Sequence, residues 1–153
     1  MFDGAVDGIR VKGRIEIEIV RGDGSVERDV FENLVTTYGK NAMTDQMLAS
    51  PSLAKPTHIG VGTGTTPAAI GDTALGTQWS TRGALSPIAA RTNNVLVCAV
   101  TFSAGFFSGQ TITEYGLFSH LANAACLCRQ VQTPGKTLTV ADALTVTWSL
   151  TFG

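Results

Sequence analysis

The sequence predicts a mainly β protein, an antiparallel β-sandwich of jelly-roll-like kind with an N-terminal hairpin and one short α-helix. Three observations predict it. Val11–Val20 alternates apolar and polar residues with period two, the mark of a half-buried strand. From Asn94 to the end, short apolar runs recur between Gly, Asn and Pro punctuation, as in a sandwich of short strands. Only one stretch, Thr37–Ala49, changes to a helical period. At 153 residues the chain is long enough for one core and too short for two, so residues 1–153 are read as a single domain.

The first element is a charged hairpin within residues 1–32. Ile15, Ile17 and Ile19 point one way and Glu16 and Glu18 the other. Arg21-Gly22-Asp23-Gly24 supplies a turn, and Ser25–Phe31 returns with Val26 and Val30 on one face and Glu27, Asp29 and Phe31 on the other. Its ionised outer residues make it the best solvated element, which places it at the outer edge of any assembly. Glu16 and Glu18 share a face but have basic neighbours, so they read as a solvated edge and not as a paired acid and base. The helix follows. Gly39 weakens its first turn, so a start near Lys40 is expected, with Pro51 ending the run. Met43 and Met47, with Leu48 beside them, are four apart, and the methionine pair is the expected core contact, because a helix this short needs a sheet to pack on.

Thr57–Val61 reads as a short strand. Residues 62–92 have no sustained period and read as an extended loop or arm, with room for a short strand near Gly83–Ile88. A connection of this length inside a compact domain usually serves a function or a partner. In the last third, Asn94–Ala104 has apolar residues on both faces and reads as a doubly covered strand. Thr111–Ser119 and Ala125–Gln132 follow. Leu144–Phe152 closes the chain with Leu144, Val146, Trp148, Leu150 and Phe152 inward and Thr145, Thr147, Ser149 and Thr151 outward.

Charge is distributed unevenly along this frame. Residues 1–45 hold six basic and nine acidic groups, whereas residues 46–153 hold only eight charges: Lys55, Asp72, Arg82, Arg91, Glu114, Arg129, Lys136 and Asp142. Solvated charge keeps monomers apart, and interface cores are depleted of it, so a surface covered by other subunits is expected. A net charge of -1 gives no pull toward a phosphate backbone or an anionic bilayer, so neither nucleic acid nor membrane is an expected partner. The first ten residues lack the apolar run of a secretory signal, and synthesis in the cytoplasm is the expectation.

Motifs for chemistry are absent. Gly60-Val61-Gly62-Thr63-Gly64-Thr65-Thr66-Pro67 resembles a phosphate cradle in composition, but it has no Lys-Ser/Thr pair and opens no helical pattern. It reads as a tight turn. His58 and His120 have no nucleophile elbow to serve, and the spacing of His120 to Cys126 and Cys128 is not that of a zinc site. His120 reads as a surface or interface histidine. No catalytic, metal-binding or cofactor-binding residue is therefore expected. Cys98, Cys126 and Cys128 read as small buried hydrophobes, the last two on one strand face, with a disulfide from Cys98 to one of them as the alternative. Glu114 stands alone in a neutral segment, which points to a structural ion pair or a turn-fixing hydrogen bond. Thr63, Thr65, Thr66, Pro67, Trp79 and Arg82 are candidate interface residues. Trp79, expected in a neutral loop, could also stack on a sugar.

Five segments also carry a resemblance. Asn33-Leu34-Val35 with Gly39-Lys40-Asn41, then His58–Pro67, then Asp72-Thr73-Ala74-Leu75, then Ile112–Phe118 and finally Leu144–Phe152 resemble, in this order, small virion proteins of tailed bacteriophages. The resemblance implies a non-enzymatic structural component of the tail or fibre, or a β domain decorating the head. It supplies no catalytic residue to carry over. The residues themselves add that no repeat, heptad run or shaft is present, which suits a compact cement protein better than a long fibre. The expectation is a capsid decoration protein of the virion that bridges neighbouring major capsid subunits, itself a homo-oligomer such as a trimer. A tail, neck, baseplate or fibre component is the alternative, and a host-glycan-binding module is a further one.

Overall fold

The computed structural model describes residues 10–86, 90–123 and 125–153. The start of the expected hairpin region, residues 1–9, and the end of the strand expected at Gly83–Ile88 lie outside the described residues.

The strands are β1 (Val11–Val20), β2 (Val26–Val35), β3 (His58–Gly62), β4 (Gln78–Ala84), β5 (Ala90–Thr92), β6 (Val95–Phe102), β7 (Gln110–Phe118), β8 (Cys126–Leu138) and β9 (Ala143–Phe152), with one helix, α1 (Thr37–Asp45), between β2 and β3. All join one antiparallel sheet in the order β4-β3-β7-β8-β2-β1-β9-β6-β5. The sheet curls into a half-barrel, so its two halves face each other across the core like the layers of a sandwich. Near the open side, Gly83 of β4 lies against the Val100 side chain, and the Ser86 N–H donates to the Ala99 carbonyl of β6 at 3.0 Å.

Strict alternation explains the larger half. Ile15, Ile17 and Ile19 of β1 lie beside Trp148, Val146 and Leu144 of β9 in register, all buried. They face Ile59 and Val61 of β3 and Ile112, Tyr115 and Leu117 of β7, also buried. Each such side chain contributes about 1.5–3 kcal/mol, so this double row supports the fold. The outer residues of β9 form a row of Thr145, Thr147, Ser149 and Thr151, only half-buried.

The hairpin is present but lies mid-sheet, and β2 is inverted relative to a simple apolar-in pattern. Val26 and Val30 are 51% and 48% exposed, while Glu27, Asp29 and Phe31 turn inward. The reason is that β2 and β8 pair only at Leu34↔Arg129 and Val35↔Cys128 and then separate. Side chains bridge the gap: Lys136 Nζ lies 3.0 Å from Asp29 and 3.4 Å from Glu27, and Gln132 joins Asp29 to the Tyr115 hydroxyl.

The helix begins at Thr37, three residues before the expected start. Thr36 caps it, its hydroxyl accepting from the Gly39 N–H at 3.0 Å and donating to the Cys126 carbonyl at 2.7 Å. Gly39 is required by packing, because a Cβ there would lie 2.0 Å from the Leu127 carbonyl oxygen. The expected methionine pair is also corrected. Met43 packs on the core, but Met47 is 80% and Leu48 59% exposed, since the helix ends at Asp45 and both fall in the turn beyond it. The buried helical residues are Gly39 and Ala42.

Two other expectations change. Of the described residues in the arm read at 62–92, 63–77 form a long irregular segment, and β4, an edge strand, and β5, a short one, follow it. β6, read as doubly covered, buries Cys98, Val100 and Phe102 but leaves Val95, Val97 and Ala99 half-exposed, because it lies next to the edge. The three cysteines are free and buried. Irregular pairing of β8 with β7 places Cys126 with Leu75 and Phe118 in a small cluster and Cys128 in the main core, so the two do not share one environment.

Candidate functional site: a neutral loop on a buried ion pair

The irregular segment 63–77 is the part of the arm that the fold holds most deliberately. Its anchor is Glu114, on β7 between β3 and β8, and wholly buried. One carboxylate oxygen accepts from the N–H groups of Gly64 at 3.0 Å and Thr77 at 2.6 Å. The other accepts from the Gly76 N–H at 2.8 Å and from Nη2 and Nε of Arg129 at 2.9 and 3.2 Å. Arg129, on β8 opposite Gly116, is 3% exposed. Its remaining donors reach Asp72 at 2.7 Å and the Thr66 carbonyl at 3.0 Å. One acid and one guanidinium thus tie both ends and the middle of the loop to two core strands. Thr113 adds a bond to the Gly64 carbonyl, and the Thr63 N–H donates to the Thr77 carbonyl.

Electrostatics follow from these bonds. Burial alone would raise the Glu114 carboxyl, but the Thr77 and Gly76 N–H groups, Arg129 and the Gly64 N–H together hold it below its ordinary value. Asp72 is likewise pushed up by burial and brought below its ordinary value by the Ala69 N–H and Arg129. The N–H groups that a glycine-rich loop would offer to a phosphate are therefore occupied by an internal carboxylate. Within Gly60–Pro67, Gly60–Gly62 belong to β3, the Thr63 N–H donates to the Thr77 carbonyl and the Gly64 N–H donates to Glu114, so these groups are engaged inside the chain.

The loop presents a neutral outer surface. Thr65, Thr66, Pro67, Ala69, Gly71, Thr73 and Ala74 are exposed, and Ile70 is 53% exposed. Of the interface candidates, Thr65, Thr66 and Pro67 come together here, and Thr63 is half-buried at the loop base. Trp79 and Arg82 lie instead on β4. Trp79 pairs with Val61, not in an open loop as expected, and its indole is half-buried against the core with a buried Nε1 that has no hydrogen-bond partner. Arg82 projects from an irregular stretch that includes Ser80 at φ 52°. Its guanidinium carbon sits 3.4 Å above the Phe118 ring centroid, and it donates to Gln78 and to the His120 carbonyl.

His58 is half-buried beside the Thr57 hydroxyl, and burial, then His120 and Arg82, lower its pKa. His120 is exposed. Among the described residues, no group of three or more His, Cys, Asp or Glu side chains could hold a metal ion. Among the same residues, no helix is long and apolar enough to cross a membrane.

Arg129, the partner of Glu114, and Asp72, the second acid on Arg129, escaped sequence reading as site residues. A signal existed: a buried carboxylate must find a cation, and only five basic residues follow position 45. No protein-family model matches the chain, and no curated protein matches it.

Proposed function

We propose that the chain is a structural protein of a tailed-bacteriophage virion, a capsid decoration or cement protein that adds buried contact across junctions between capsid subunits. Its role is assembly without turnover. The observation that carries this reading is where the scarce charges of residues 46–153 go. Asp72, Glu114, Arg129, Lys136 and Asp142 are all paired within the chain. Arg82 lies over an aromatic ring, which leaves Lys55 and Arg91 as the exposed charges of that region with no ionic partner among the described residues. The surface so produced is rich in Thr, Ser, Gly and Ala, and it is carried on strands and on a loop that the Glu114–Arg129 pair immobilises. A rigid, neutral surface loses little entropy and desolvates little charge when a partner covers it. Repeated across a lattice, each such contact stabilises the shell by mass action.

Copy number in purified particles tests the reading. A decoration protein is present on the order of hundreds of times and forms density on the head lattice, as closed symmetric contacts require. A few to tens of copies at the tail or neck would move the protein there, and absence from particles would overturn the virion reading. Trp79, with its half-buried ring, supports a glycan platform poorly.

A further inference from the structure

At the end of the sheet nearest α1, two cavities share Met43 and Phe152 as a common wall. The larger, an open groove of about 740 Å³, is lined by the cationic Arg10, Lys12 and Lys40 and by the apolar Val11, Met43, Met47 and Phe152. The smaller, about 240 Å³, is an apolar recess that reaches Leu96, Leu117, Leu127 and Leu150, with Lys55 at its side. Among the described residues, no acid lines either one; Glu32 shares a neighbouring hollow with Lys12 and Lys40. The 80% exposure of Met47 belongs to this groove. Its chemistry asks for a segment that is acidic, to meet three cations, and that carries a large apolar side chain for the recess.

The chain contains such a segment. Met1-Phe2-Asp3-Gly4-Ala5-Val6-Asp7-Gly8-Ile9 has two carboxylates, no basic residue and one aromatic ring. We propose that the cleft between α1 and the β1–β9 end receives residues 1–9 of a second copy of this chain, with Asp3 and Asp7 facing Arg10, Lys12 and Lys40 and an apolar side chain entering the recess. A neighbour is favoured over the same chain because Arg10 is itself part of the groove wall. Its carbonyl accepts from the Gly153 N–H at 2.9 Å, so a chain entering its own groove would have to reverse direction at once. The proposal rests on the assembly reading above and names the surface that links copies.

The test uses the full chain in sedimentation velocity over a concentration series, with a fluorescent synthetic peptide of residues 1–9 as a probe in polarisation. Wild type is expected to self-associate, less so as salt rises, and to bind the peptide. Lys12→Glu with Lys40→Glu, both at exposed positions, is expected to weaken association and peptide binding by on the order of tenfold or more. Asp3→Lys with Asp7→Lys is expected to do the same to association, and mixing the two doubly reversed proteins is expected to restore pairing. That restoration also shows that both variants are folded. A wild-type chain that stays monomeric and ignores the peptide overturns the proposal. Association unchanged by Lys12→Glu with Lys40→Glu also overturns it, while leaving the assembly reading intact, since copies would then meet through another surface.

Discussion

The Glu114 carboxylate and the Arg129 guanidinium, 2.9 Å apart and 0% and 3% exposed, form a buried pair whose other bonds reach outward into one loop. Buried ion pairs are often poor sources of stability, because desolvation offsets their attraction. This one differs in what else it satisfies. Glu114 takes three backbone N–H groups, and Arg129 donates to Asp72 and to a backbone carbonyl. The pair therefore fixes the conformation of residues 63–77 without leaving either charge alone.

Glu114→Gln keeps the shape and removes the charge. Its amide turns a donor toward Arg129 or toward the loop N–H groups, and Arg129 is left with Asp72 as its only carboxylate. Removing one partner of a buried pair costs about 3–5 kcal/mol, and a fall of that size in unfolding free energy by urea titration is expected. Amide exchange at Gly64, Gly76 and Thr77 should accelerate. Adding Arg129→Met should not restore stability, because those three N–H groups still lack a carboxylate. Restoration to within about 1 kcal/mol would show that the loop does not depend on Glu114.

The same bonds set an acid limit. Glu114 and Asp72 titrate below their ordinary values of 4.5 and 3.8 in the folded chain. In the acid range the unfolded chain therefore binds more protons than the folded one, and stability falls with pH. Their contribution is complete above the ordinary carboxylate values and drains away as the pH drops through them toward the lower folded values. Unfolding free energy measured from neutral pH to about pH 3 should be level and then decline. In Glu114→Gln the decline should be shallower, and an identical acid limb in both proteins would remove Glu114 as its cause.

Legibility in the sequence followed the regularity of the local signal. β9 could be read residue by residue, since Leu144, Val146, Trp148 and Leu150 keep strict alternation and all are buried. β4 could not, because its pairing with β3 is interrupted around Ser80-Thr81-Arg82 and so loses the period of two. Gly39 misled in the opposite direction: local propensity treats it as a weak helix residue, whereas contact with Leu127, far away in sequence, makes it necessary. Glu27 and Asp29 face inward because β2 and β8 separate, a tertiary fact with no local trace. Glu114 stood out as a lone acid, but its partner Arg129 and the second acid on Arg129, Asp72, lie elsewhere in the chain, and only the fold brings them together.

The thiols offer a direct measure of core integrity. Burial pushes Cys98 and Cys126 up to about 11 and raises Cys128 as well. At neutral pH all three are protonated and enclosed, and the thiolate is the reactive form. Labelling by an alkylating reagent should be negligible in the native protein and should become complete in denaturant, with intact-mass analysis showing no disulfide among the three. Rapid labelling of any one in native buffer would mean that its surroundings open without global unfolding.

Gly39 sets two effects against each other. Alanine favours a helix over glycine by about 1 kcal/mol, so propensity alone predicts that Gly39→Ala stabilises α1. The new methyl would lie 2.0 Å from the Leu127 carbonyl oxygen and 2.8 Å from its carbon, both rigid backbone atoms of β8. Relief requires the helix to move away from the strand, which stretches the Thr36 hydroxyl bonds to the Cys126 and Leu127 carbonyls at 2.7 and 3.1 Å. Overpacking costs about 1–3 kcal/mol and sometimes more, and the lost bonds about 1 kcal/mol each, so the contact outweighs the propensity. A net loss of about 2–3 kcal/mol is expected as a lower urea midpoint with an unchanged slope. Stabilisation would show that α1 does not pack on Leu127 in solution, and the placement of the cleft it lines would fall with it.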